Sequence, residues 1–94
     1  MKSIMPGDKK DVCYICFRET PYTELHHIFG GTANRKKSDK AGLTVHLCYE
    51  CHRGSHGVHM DALSADYLHR LGQFEYEKTH SREEFRKVFG KSYL

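Results

Sequence analysis

The sequence predicts a small α+β domain in which two cysteine pairs staple a pair of short strands and two helices close the chain. Three observations predict it. Cys13-x-x-Cys16 and Cys48-x-x-Cys51 are matched thiol pairs a long interval apart. Two strand-like runs, residues 23–28 and 43–47, lie between those pairs. The last third then changes to apolar residues at helical spacing, with a capping box at Ser81-Arg82-Glu83-Glu84 and Gly90 as a stop.

Ninety-four residues leave room for one core. With 38% hydrophobic residues and a mean hydropathy of −0.70, apolar burial alone leaves such a fold marginal, and chains of this size rely on a staple. Four cysteines supply one as two disulfides or as one zinc ion. Residues 1–11 carry Lys2, Pro6, Gly7, Lys9 and Lys10 without an apolar run. They read as a flexible basic arm, with neither secretion nor a membrane span indicated and a cytoplasmic location expected. In a reducing cytosol, paired C-x-x-C motifs act as metal ligands rather than disulfides. Zinc held by four thiolates has no open position, so this ion is expected to be structural. The competing reading is two pairs of redox-active or buried free thiols. The net charge of +3 is compatible with a phosphate-bearing partner. Residues 12–94 form the single domain, 12–60 carrying the site and 61–94 the helices.

Within it, residues 12–17 (VCYICF) set two thiolates three positions apart in a tight turn. The strand at 23–28 carries His26-His27 and ends at Gly30-Gly31. Residues 29–42 (FGGTANRKKSDKAG) read as a long polar loop, and Arg35, Lys36, Lys37 and Lys40 make it the most basic part of the chain, either solvated or touching phosphates. Residues 43–47 alternate Leu43, Val45 and Leu47 against Thr44 and His46, which fits a second strand paired with the first. A short helix should start at Tyr49, placing His52 and His56 four apart on one face where they can bind one ion; Gly54 and Gly57 weaken it. Residues 60–80 contain Leu63, Tyr67, Leu68, Leu71, Phe74 and Tyr76 at helical spacing, capped by Asp61 or Ser64. The final helix offers Phe85, Val88 and Phe89. Tyr67, Phe74 and Phe85 are assigned to the core rather than to base stacking.

Six of the eight histidines fall between positions 26 and 59. A His-His dipeptide on a strand is by itself one packed and one solvated imidazole. Set between two C-x-x-C pairs and upstream of C-H-x-x-x-H, it points to a metal site. Strand with a histidine pair, loop, strand, then helix with further histidines is the ββα-metal plan, and with its cysteines the chain resembles the HNH (His-Me finger) endonuclease family. It looks most like small phage and prophage members with a zinc-binding cysteine quartet. The likeness covers residues 13–59, with GKSYL at the end a softer match. It implies hydrolysis of DNA phosphodiester bonds with His27 as general base. It also implies one divalent ion (Mg2+, Mn2+, Ni2+ or Zn2+) on His26, His52 and His56, with His59 as the alternative to His56. Family members of the C-x-x-C-H type usually read Asn-Leu shortly before the Leu-Cys. Gly42-Leu43 stands there in this chain, and Asn34 is the asparagine available for that role. Arg35, Lys36, Lys37 and Lys40 would then contact DNA. Adjacent strand residues point to opposite faces, so His26 and His27 can share a site only where the strand ends or twists. The alternative function is a non-catalytic zinc module that binds nucleic acid or protein through its basic loop.

Overall fold

The strands pair as the alternation requires. In the computed structural model, which describes residues 2–55 and 57–94, the chain runs β1 (Glu24–His27), α1 (Gly31–Lys40), β2 (Thr44–Leu47), α2 (Tyr49–His52), α3 (Ala62–Tyr76) and α4 (Arg82–Phe89). β1 and β2 are antiparallel, with Glu24 opposite Leu47, Leu25 opposite His46, His26 opposite Val45 and His27 opposite Thr44. Leu43, Val45 and Leu47 are fully buried, and Thr44 is covered as well. The result is a small α+β fold with a two-stranded sheet and, among the described residues, four helices.

The segment expected as a polar loop is instead α1. Its buried residue is not apolar: the Ser38 hydroxyl donates to the Leu43 carbonyl (2.6 Å) and accepts from the Phe29 N–H (3.2 Å). One hydroxyl thus clips the helix to the segments that flank both strands. Lys37 and Lys40 sit in the last turn, where ammonium groups complement the helix dipole. Helical periodicity was invisible because no apolar stripe marks this face.

The expected loose arm at 1–11 is also packed, over its described residues. The Ile4 N–H donates to the Gly42 carbonyl (2.8 Å), Met5 is buried, and the Asp8 carboxylate accepts from the His46 N–H (2.8 Å) and faces His46 Nδ1 at 2.9 Å. Gly42 has φ 75°, and a Cβ there would stand 2.7 Å from the Lys2 carbonyl oxygen. Only glycine fits that turn.

The helices close the core as predicted in outline. The Asp61 side chain caps α3 by accepting from the Leu63 N–H, and the Ser81 hydroxyl caps α4 by accepting from the Glu84 N–H. Phe29 packs against Phe85 and Phe89 with ring centroids 5.2 and 4.6 Å apart. Gln73 is fully buried yet satisfied: its amide nitrogen donates to Glu77 and Ser92, and its oxygen accepts from the Tyr93 N–H, which docks the C-terminal tail. Two expectations fail here. Tyr67 and Phe74 are more than half exposed, whereas Phe85 is buried. Leu68, Gly72, Gln73 and Tyr76 occupy the inner arc of α3, and positions 67 and 74 fall on the opposite side. No helix among the described residues is long and apolar enough to cross a membrane.

Candidate metal centres and the histidine cleft

The first cysteine pair lies in a tight turn. The Cys13 N–H donates to the Arg18 carbonyl and the Phe17 N–H to the Cys13 carbonyl (both 2.9 Å), and the Tyr14 N–H ties this turn to the His46 carbonyl of β2 (2.8 Å). The second pair brackets the start of α2 directly after β2. The strand pairing thereby brings Cys13, Cys16, Cys48 and Cys51 together, with sulfurs all within 4.8 Å of one another. Cys16 and Cys48 Sγ are 3.7 Å apart, and all four thiols are free. Sulfurs around a tetrahedral zinc with ~2.3 Å bonds are about 3.8 Å apart, so the cluster is compatible with a structural metal such as zinc. Burial opposes a thiolate at Cys13, but N–H groups of Cys16, Cys48 and Ile15 outweigh it and lower the thiol to about 7. Burial and neighbouring sulfurs push Cys51 and Cys16 up. A divalent cation would relieve that competition among sulfurs for negative charge.

A second group forms where β1 meets α2. His26, His52 and His59 offer ring nitrogens within 4.8 Å of one another. His52 and His59 present Nε2 to Nε2 at 3.0 Å, and the His26 ring lies edge-on to both, centroids 5.1 and 5.4 Å away. Nitrogens on one tetrahedral ion at ~2.0–2.1 Å are about 3.3 Å apart, so the spacing fits a shared cation. His26 and His52 are buried and His59 is exposed. Burial first, then the neighbouring imidazoles His52 and His59, hold the His26 ring down to about 3, so it is neutral near pH 7. The same two kinds of cause lower His59.

Glu24 sets the orientation of His52. Its Oε1 lies 2.7 Å from His52 Nδ1 and 3.2 Å from Arg53 Nε. A carboxylate can only accept, so the proton between them belongs to His52 Nδ1, and His52 presents Nε2 to His59. The His52 hydrogen bond, then burial against it and the Arg53 charge with it, leave the Glu24 carboxyl below the usual range. Glu24 and His26 are two apart on a strand and share a face. That spacing was readable in the sequence and was missed.

His59 arrives by a chain reversal. α2 stops at His52, and the chain folds back so that the Val58 N–H donates to the Cys51 carbonyl (2.8 Å). A Cβ on Gly57 would stand 2.9 Å from the Glu50 carbonyl oxygen, so this return needs glycine. Among the described residues, the secondary candidate, His59, is the one that joins His26 and His52. His56 lies outside the described residues.

His27 stands apart from that triad but opens into the same cleft, about 310 Å³, which His26, His52, His59, Arg35 and Arg53 also line. The strand ends at His27, which lets neighbouring residues face one cavity. His27 Nε2 lies 3.4 Å from Asp39 Oδ1 on α1. Asn34 is elsewhere. Its amide donates to the Phe89 carbonyl (3.4 Å), fastening α1 to α4, so the asparagine proposed for the site does not line the cleft. The basic residues divide: Arg35 lines the histidine cleft, Lys37 and Lys40 line another, and Lys36 is exposed. Comparison with protein-family models, with curated proteins and with solved structures finds no match.

Proposed function

We propose that this chain is a metal-dependent nuclease of the HNH type that hydrolyses DNA phosphodiester bonds, with zinc on the four cysteines as its structural staple. One observation carries the reading: three convergent imidazoles and a fourth held outside them share a cleft with Arg35. His26, His52 and His59 would hold a divalent ion, which would supply positive charge to stabilise the phosphate in the transition state. With Nε2 beside Asp39, His27 accepts the proton of the attacking water at its other ring nitrogen, Nδ1. Asp39 is then the positioning residue, in the part the family gives to asparagine. Gly42, at the asparagine's usual place, has no room for a side chain. Arg35 meets the phosphate charge, and Glu24 keeps His52 turned toward its partners.

The test is plasmid nicking with magnesium, manganese or nickel, with and without EDTA, comparing the parent with His27→Ala. The variant should lose roughly two to four orders of magnitude in rate, the range for a lost general base, while keeping its metal affinity. Equal nicking by both proteins would remove His27 from the chemistry. No nicking by the parent with any of the ions would leave the non-catalytic zinc module as the reading.

A further inference from the structure

A second cleft, about 490 Å³, lies between the end of α1, the end of α3 and α4. At 100° per residue Lys37 is about 200° around α1 from Arg35, so the two clefts flank the helix on opposite sides. Ala41 and Val88 make the lining partly apolar. His80 stacks on Tyr76 to form one wall, centroids 4.1 Å apart and planes 15° from parallel. Lys37, Lys40 and Lys87 supply three ammonium groups. Glu84, on the same helix as Lys87, is engaged by the Tyr76 hydroxyl (3.2 Å) and lies 3.4 Å from His80 Nε2.

Cations around an apolar lining with a flat ring at its edge suit a ligand that has both phosphates and an exposed planar face. A duplex offers the phosphates but keeps its bases stacked inside, whereas an unpaired nucleotide offers both. We propose that this cleft binds an unpaired nucleotide of a single-stranded nucleic acid, the base against His80 and Val88 and the phosphates among Lys37, Lys40 and Lys87. Helix α1 joins this cleft to the histidines. Arg35 lies in one, Lys36 is exposed on the helix, and Lys37 and Lys40 lie in the other, so a strand crossing α1 meets cations in succession. The strand's course rests on the nuclease reading. It makes the preferred substrate one with a single-stranded stretch beside the scissile phosphate.

The lysines have a competing use, since Lys37, Lys40 and Lys87 also sit in the last turns of α1 and α4. Fluorescence anisotropy separates the two. The probes are a labelled oligothymidylate of about twelve nucleotides and a blunt duplex of equal length, titrated into zinc-loaded protein with no other divalent ion added. In the Lys37→Ala/Lys87→Ala double variant, single-strand affinity should fall tenfold or more, and the slope of log K against log salt should drop by about 1.4, near 0.7 per lost phosphate contact. Duplex affinity should change far less, and the Lys37→Arg/Lys87→Arg variant should bind as the parent does. Unchanged oligothymidylate binding, or an equal loss on both probes, would overturn the proposal. So would a lower melting temperature with binding intact, which would assign the lysines to the helix ends. A parent that nicks DNA while its double variant binds the oligothymidylate normally loses this cleft and keeps the nuclease. A parent that binds it through these lysines without nicking keeps the cleft and loses the nuclease.

Discussion

Replacing Glu24 tests whether the three imidazoles are built to hold a cation. The carboxylate oxygen that faces His52 Nδ1 at 2.7 Å also faces Arg53 Nε at 3.2 Å, so one atom holds both partners. Partners that orient ligating histidines typically contribute about ten- to hundredfold in metal affinity, or about 1.4–2.7 kcal/mol. The Glu24 side chain is 32% exposed, so solvent screening trims the purely Coulombic share. Glu24→Gln keeps an oxygen acceptor for the imidazole N–H but loses the charge, and a neutral hydrogen bond has about half the strength of a charge-assisted one. It should sit near the tenfold end. Glu24→Ala removes the acceptor, freeing His52 to rotate, and should approach the hundredfold end. The assay is calorimetric titration of nickel or manganese into protein whose cysteine site is already loaded with zinc, with zinc content measured alongside. Parent-like nickel affinity in Glu24→Ala would refute the orienting role. Loss of the cysteine-bound zinc in the same variant would show that Glu24 supports the fold rather than the histidines.

Cys48→Ser should release the cysteine-bound ion and abolish cooperative unfolding, since metal binding of this kind is coupled to folding; a variant that melts like the parent would remove the zinc staple. His59→Ala should weaken nickel or manganese binding while leaving the thiolate zinc in place, and parent-like affinity would exclude His59 as a ligand. Phe17 is 75% exposed with φ 64°, a backbone conformation that disfavours a side chain. Phe17→Gly should therefore raise stability by about 0.5–1 kcal/mol, a few degrees in thermal melting; a lower melting temperature would mean that the ring makes a contact worth more than the strain.

The parts of this protein that were legible in its sequence are those written in short spacings. Two thiols three positions apart, an alternating run at 43–47, and a serine hydroxyl that meets the N–H three residues on each impose their geometry locally. The cysteine cluster, the strand pair and the capped final helix follow from them. His26 and His52 were also recognisable, because each adjoins such a landmark.

Tertiary structure decided the rest. α1 is a helix because a buried serine hydroxyl clips it between the strand ends, a contact that leaves no apolar period to read. Residues 4–8 pack because the turn before β2 supplies the Gly42 carbonyl and β2 supplies the His46 N–H to partners far away in sequence. Tyr67 and Phe74 face outward because apolar residues ring α3, so that periodicity alone could not choose its inner side. Among the described residues, His59 joins His26 and His52 because α2 ends at His52 and the Val58 N–H returns to the Cys51 carbonyl, a contact that no local spacing announces. Local spacing fixes how one residue faces its near neighbours. Which distant groups meet depends on how the elements pack, and here that packing placed His59 and Glu24 beside His52.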